Sequence, residues 1–161
     1  FFQIFFITCP KQPLTIIGPS GIGQWYNTIA HLVGEEPPAQ VVVLEAPSDV
    51  VMIADLAITT APMTHNVPDV AFRLTHQGRS VVYSGDTGMN DQLIPFAQEC
   101  DVLLLECSNI PGQVTTHHLN EQQCADIAQR SRAKRLLLTH YGDQPFSGTL
   151  ERAKELLTIK V

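Results

Sequence analysis

Charge is scarce in this sequence. Asp, Glu, Lys and Arg make up 16% of its 161 residues against 44% hydrophobic ones, a balance that excludes intrinsic disorder and predicts a packed interior. The charge present leans acidic, with 10 basic and 16 acidic side chains and a net charge of −6. That sign disfavours a broad electrostatic grip on nucleic acid or on an anionic membrane, although a local groove for one phosphodiester remains compatible with it. The four cysteines, Cys9, Cys100, Cys107 and Cys124, contain no C-x-x-C pair. Three of them lie in apolar patterns, which predicts buried, reduced thiols in a cytoplasmic protein. The apolar opening FFQIFFITCP is far too short to cross a bilayer and has no basic n-region, so it reads as core rather than as span or signal peptide. Internal repeats, low-complexity tracts and clear linkers are absent, and GEEPPAQ at 34–40 is the one strong loop signal. The expectation is a single domain over 1–161, large enough to bury roughly two thirds of its unfolded surface.

The elements follow from periodicity. LTIIG at 14–18 reads as a buried strand. GIGQWYNTIAHLV reads as a helix with Trp25, Ile29 and Leu32 on one face. Strands are expected at about 41–45, 50–53 and 55–61, arranged as a meander. DVAFRLTH and RSVVYSG are strands joined by a tight turn at Gln77 and Gly78. A short helix near 89–98 leads to DVLLLEC, a continuous apolar strand of the kind buried on both faces. The next helix starts at Asn120, with Gln123 placed to complete a capping box and Leu119 and Cys124 placed as a hydrophobic staple. Cys124, Ile127, Ala128 and Ser131 form its inner stripe. KRLLLTHYG is another buried strand, and LERAKELL is expected to close the chain as an amphipathic helix. The sum is an α/β fold with a mixed sheet, helices on at least one face, and polar residues at several strand tips.

Those tips carry the chemistry. VVYSGDTG at 81–88 runs a strand into Asp86, where a carboxylate has no packing reason to be. His65 in APMTHNVPD, His118 in TTHHLN and His140 in LLLTHYG sit at the same kind of junction. Imidazole nitrogens and a carboxylate suit zinc or another borderline divalent ion, and a carboxylate can bridge two. Taken singly, each has a bland alternative: a satisfied histidine, or a turn in which Asp86 bonds to nearby amides. Four together outweigh it. His31 on a helix and His76 beside a hairpin turn take the bland reading. His117 stays open, because neighbours on an extended segment face opposite ways and only one of His117 and His118 can point at the site.

Other motifs weigh less. GPSGIG at 18–23 could hold an anion at a helix start, but it lacks the Gly-Lys-Ser/Thr ending of a P-loop and the spacing of a dinucleotide fingerprint, so a turn is preferred. Neither Ser20 nor Ser84 sits in G-x-S-x-G, which disfavours a serine hydrolase. Arg130, Arg132, Lys134 and Arg135 could touch a nucleic-acid backbone or simply form a solvated helix end.

THNVPDVAFRL, GRSVVYSGDT, CDVLLLECS and HLNEQQCADIAQRSRAKRLLLTHYG, in that order over about 60–142, resemble the metallo-β-lactamase superfamily, within it the ribonuclease Z and phosphodiesterase branch. PLTIIGPSGI is similar to a segment that follows the first metal motif in that branch. The resemblance implies an αββα sandwich and a metal-dependent hydrolase of phosphodiester or related ester bonds. It makes His65 a ligand of one metal, Asp86 the bridging carboxylate, His140 a ligand of the other, and His118 the group that protonates the leaving oxygen or steadies charge on the phosphate. Two Zn2+ ions are implied for a complete site, with Mn2+ or another divalent ion as alternatives. The family's His-x-His-x-Asp-His motif does not occur in the sequence, so the expectation is a domain incomplete at its N-terminus whose own residues cannot complete a dinuclear centre. Only 21 positions separate His65 from Asp86, where ribonuclease Z proper has a long insertion for gripping transfer RNA, which argues against that substrate. The last strand expected of the family is cut short. An uncovered apolar sheet face would make the isolated chain a homo-oligomer. The alternative function is a non-catalytic remnant of the fold serving as an interaction module.

Overall fold

The computed structural model describes residues 14–32, 41–46, 50–142, 148–155 and 157–161. The expectations for FFQIFFITCP, Cys9 and the GEEPPAQ loop lie outside them. The chain forms two compact units, 1–46 and 47–161.

In the first unit β1 (Leu14–Pro19) leads through α1 (Ile22–Leu32) to β2 (Val41–Ala46), which pairs parallel to β1 with Ile16 opposite Val43. The meander expected to begin at β2 is therefore corrected there. A connection containing a helix is long enough to carry the chain back to the edge it left, and the second strand then runs parallel to the first. α1 buries Tyr26, whereas Trp25 is 48% and Leu32 74% exposed. Ile22, Tyr26 and Ala30 also lie at helical spacing, so the inward stripe is displaced by about one residue from Trp25, Ile29 and Leu32. Periodicity alone does not choose between neighbouring faces. At the start of α1 the Ser20 hydroxyl donates to Glu45 Oε2 and the Gly23 N–H to Glu45 Oε1, both at 3.4 Å. The chain's own carboxylate takes this helix start, in keeping with the turn reading of GPSGIG.

The second unit is built on one six-stranded sheet. Its elements in chain order are β3 (Val51–Ile53), β4 (Leu56–Pro62), β5 (Val70–His76), β6 (Arg79–Tyr83), α2 (Leu93–Phe96), β7 (Val102–Glu106), α3 (Glu121–Ser131) and β8 (Leu136–Thr139). The strands lie side by side in chain order, antiparallel from β3 to β6 and parallel from β6 to β8. A meander thus does form here. Gln77 (φ 49°) and Gly78 (φ 76°) are both left-handed, the conformation that a two-residue turn needs to match strand twist. β7 is buried at four of its five positions, as its continuous apolar run predicts. Asn120 and Gln123 close the capping box on α3 reciprocally. Cys124, Ile127 and Ser131 are fully buried on that helix and Ala128 packs beside them. Cys100, Cys107 and Cys124 are free and buried. Burial pushes the Cys100 thiol up to about 11. Cys124 donates to the Glu106 carbonyl at 3.4 Å, and its partnership with Cys107 together with burial keeps it protonated.

Among the described residues of LERAKELL, 150–155 and 157, there is no helix. Leu138 N–H donates to Glu151 O (2.9 Å) and Ala153 N–H to Leu138 O (2.8 Å), so Arg152 pairs with the outer edge of β8 as a parallel bridge. Leu150 packs on the core. The open backbone of an edge strand has offered hydrogen bonds that the local helical period does not register.

The basic run sits at the edge where the parallel strands begin. Arg130 pairs with Asp126 (3.1 Å), Arg132 with Glu99 (2.7 Å), Lys134 with Asp101 (2.8 Å) and Arg135 with Glu151 (2.6 Å). Its charges are therefore answered within the chain. Asp101 also accepts from Ser80 N–H (2.8 Å) and Arg79 (3.0 Å). The Lys134, Ser80 and Arg79 donors hold its carboxyl well below the ordinary 3.8. A carboxylate lowered in the folded state adds stability that is fully present above its ordinary value and is lost as pH falls through the folded one. Asp101→Asn should accordingly lower the urea midpoint at pH 7, with the gap to wild type narrowing as pH falls below about 4. A gap that stays constant with pH would show that the pairs, whose cationic ends are 62% exposed, contribute nothing through charge. Among the described residues no helix is long and apolar enough to cross a membrane.

Candidate metal centre

Topology puts the polar tips on one edge. β6, β7 and β8 are parallel, so the loops that follow them leave the same side of the sheet. β5 is antiparallel to β6, so the 63–69 loop that enters β5 lies there too. His65, Asp86, His118 and His140 all belong to these four segments.

The 84–88 loop organises the edge. Ser84 N–H extends the ladder to Leu104 O (3.0 Å), and the Ser84 hydroxyl accepts from Glu106 N–H (3.1 Å). Gly85 turns the chain at φ 63° above Asp69, where a Cβ would lie 2.4 Å from Asp69 Oδ1 and 2.9 Å from Val70 O. Only glycine fits that turn. Asp86 N–H then donates to Asp69 Oδ2 (3.1 Å), and Thr87 N–H to Glu106 Oε1 (3.1 Å). Thr64 and residues 87–88 are laced together by Thr64 N–H to Thr87 Oγ1 (3.2 Å) and Gly88 N–H to Thr64 O (2.8 Å). The amides of Asp86 and Thr87 are thus served by Asp69 and Glu106, which leaves the Asp86 carboxylate uncommitted to its own turn. Its Oδ1 lies 3.0 Å from His140 Nδ1.

His140 has left-handed backbone (φ 52°), an arrangement uncommon outside glycine and concentrated at functional positions. Its ring is 5.7 Å from that of His118, which in turn is 5.2 Å from that of His65. His65 Nδ1 is buried and has no hydrogen-bond partner among the described residues. An orphaned imidazole nitrogen beside two further imidazoles and a carboxylate is the donor chemistry of a zinc-type site. The residues therefore fit a divalent ion.

Glu106 is the member that sequence reasoning missed. It is fully buried, and its Oε1 lies 2.9 Å from His118 Nδ1 and also accepts from Leu119 N–H (3.3 Å). Oε2 accepts from the Ser108 N–H (2.9 Å) and hydroxyl (3.1 Å). A carboxylate so engaged takes the Nδ1 proton of His118 as a hydrogen bond and leaves Nε2 as that ring's free nitrogen. Donor atoms of Glu106, His118 and His140 lie within 4.8 Å of one another. Glu106 is nevertheless a better orienter than ligand, because its oxygens are already committed to backbone and His118. The available signal was a lone acid closing an otherwise apolar strand.

The remaining histidines divide. His76 Nε2 is 2.6 Å from Asp55 Oδ2 and His31 is exposed on α1, as their bland readings require. His117, left open above, has its ring 6.2 Å from that of His65 and its Nε2 3.2 Å from Thr116 Oγ1, with 116–117 forming a bend in place of a strand. Tyr83 stands close enough for burial and the charges of Asp86, Asp69 and Glu106 to raise its phenol above the ordinary value.

The sequence profile described as the beta-lactamase superfamily domain matches residues 4–141. The chain belongs to this β-lactamase superfamily. Its fold is the metallo-β-lactamase α/β fold, a mixed sheet with flanking helices. The metallo-hydrolase YhfI of Bacillus subtilis is 35% identical over 95 residues, covering 53% of this chain and 39% of YhfI. Ribonuclease Z of Bacillus subtilis is 37% identical over 89 residues, covering 52% of this chain and 29% of the relative. The crystal structure of YhfI superposes with a TM-score of 0.75 at 24% identity, over 91% of this chain and 65% of that one. The short form of human tRNase Z gives 0.73 at 23% identity, over 96% and 70%. The matched stretch is thus less than half the length of these two curated relatives. Divalent metal binding is a property of the superfamily, and the cluster at this sheet edge is its candidate site here.

Proposed function

We propose that this chain forms part of a metal-dependent hydrolase of phosphodiester or related ester bonds. In this reading His65, Asp86 and His140 are metal ligands and His118 is the general acid. The observation that carries it is convergence: Asp86 Oδ1 lies 3.0 Å from His140 Nδ1, and the His118 ring stands 5.7 Å from that of His140 and 5.2 Å from that of His65, whose buried Nδ1 has no partner among the described residues. Relatives named ribonuclease Z favour a phosphodiester over other esters.

When bound, two divalent ions supply charge stabilisation for in-line displacement and a more acidic water. Everything else falls to the chain. Asp69 holds the amide of Asp86 and so fixes the direction of its carboxylate. Glu106 holds His118 at Nδ1, which aims Nε2 outward. Protonated at Nε2, His118 gives that proton to the leaving oxygen, while the Glu106 carboxylate stabilises the imidazolium beforehand. Three ligands are too few for two ions, so the proposal assigns the rest to residues outside this sequence or to another copy, and Zn2+ is the expected metal. Self-association of the isolated chain belongs to the same proposal.

Fusing a His-x-His-x-Asp-His segment upstream of the chain tests it. Close to two equivalents of metal in that longer protein, lost in Asp86→Ala and His140→Ala, together with hydrolysis of a chromogenic phosphodiester, supports the hydrolase. In the second reading, a non-catalytic interaction module, the extended protein takes up no metal and hydrolyses nothing, which would establish it over the first.

A further inference from the structure

The loops around the candidate centre differ from the rest of the unit in what they expose. Segments 63–69, 84–92 and 107–120 contain no Lys or Arg. The four cations of the basic run lie at the opposite edge and are ion-paired there. Arg73 is spent on Phe96 O, Gln98 O and Ser80 Oγ, and Arg152 lies over the Tyr141 ring at 5.3 Å. In place of cations the rim exposes apolar side chains: Val67 at 57%, Met89 at 41%, Ile110 at 47% and Val114 at 71%. Tyr83 adds an aromatic ring at 42%.

Position ties these residues to the site. Val67 is two residues from His65. Met89 follows Gly88, whose backbone abuts the Thr116 carbonyl. Ile110 and Val114 flank a turn closed by Gln113 N–H to Ile110 O (3.0 Å) and pinched at its base by Asn109, which donates to His118 O (2.8 Å).

A polynucleotide is held chiefly by cations placed along several phosphates. Three rim segments with none, on a chain of net charge −6, offer no such row, and Arg152, over the ring of the residue after His140, is a single cation. We infer that the substituent offered to this rim is apolar, so that the substrate class is a small phosphodiester bearing an aryl or alkyl group, not an RNA strand. The inference rests on the hydrolase reading for which end of the ligand meets the centre. Val67, Met89, Ile110 and Val114 would shield the substituent from water, with Tyr83 stacking on an aryl group.

Calorimetric titration of the Zn2+-supplemented chain tests it with bis(4-nitrophenyl) phosphate, dimethyl phosphate and a short single-stranded oligoribonucleotide. The aryl diester should bind about tenfold or more tightly than dimethyl phosphate, the scale set by partial burial of one ring. Ile110→Ser with Val114→Ser, both at exposed positions, should erase most of that preference. Tighter binding of the oligoribonucleotide, an undiminished preference in the double variant, or no binding of either diester overturns the inference. So does a double variant that only converts a dimer to a monomer, which would give the rim to a second copy. Hydrolysis without aryl preference ends this inference and leaves the hydrolase reading standing. Aryl preference in a chain that takes up no metal does the reverse.

Discussion

Glu106→Ala should lower the unfolding free energy of the 47–161 unit by about 3–5 kcal/mol, the usual cost of breaking a buried charged cluster from one side. Five donors converge on this fully buried side chain: Thr87 N–H, Leu119 N–H and His118 Nδ1 on one oxygen, Ser108 N–H and Oγ on the other. Alanine strands the amides of the fully buried Thr87 and Leu119, and an orphaned buried amide alone costs about 1–3 kcal/mol. Glu106→Gln keeps the volume but turns an NH2 group toward donors, so it should recover little. Urea unfolding followed by circular dichroism, read as a midpoint shift at constant slope, gives the number. A loss below about 1 kcal/mol would mean the cluster relaxes around the gap. His118 should also lose its fixed orientation, seen as new exchange broadening of its ring resonances.

Gly88→Ala ranks next. A Cβ there would lie 2.2 Å from Thr116 O and 2.6 Å from its carbonyl carbon. Both are backbone atoms, so no rotamer change relieves the overlap. Gly88 cannot retreat freely, since its N–H is bound to Thr64 O at 2.8 Å. We expect a loss of about 2–3 kcal/mol, at the upper end for overpacking because a hydrogen bond is strained with it. The 115–118 segment should move away from His65. Gly112→Ala is the control: its φ of 81° is unfavourable for alanine, but nothing lies within 4 Å of the new carbon. It should cost only about 1–2 kcal/mol and leave the histidine resonances in place. Equal effects of the two substitutions would trace the Gly88 loss to conformation and not to collision.

What the sequence disclosed depended on how local the cause was. Strand tips were legible because an apolar run ending in Asp or His is a contradiction visible within eight residues, as in VVYSGDTG and LLLTHYG. The capping box was legible for the same reason, with Asn120 and Gln123 three apart. Glu106 was passed over although it too ends an apolar run, because its donors at 87, 118 and 119 are distant in the chain and only Ser108 is near. LERAKELL misled because its period describes the segment alone, while the edge of β8 that captures it lies more than ten residues upstream. The parallel pairing of β1 with β2 failed similarly, since two apolar strands look alike whichever way they run. His117 stayed open because the alternation argument assumes extended backbone, which the bend at 116–117 removes.

Loop anchoring also decides where the chain can change length. Ser84–Gly88 touches the His65 loop, Glu106 and the Thr116 carbonyl through separate hydrogen bonds and contacts. Inserting a single residue there would shift three neighbours at once. The Pro111–Gly112 tip is exposed and secured at its base, by Asn109 and by Asn120 donating to Gln113 O at 2.6 Å, so it can lengthen outward and leave the imidazoles where they are. Descendants of this fold that acquire new appendages at this edge should therefore carry them between 110 and 114.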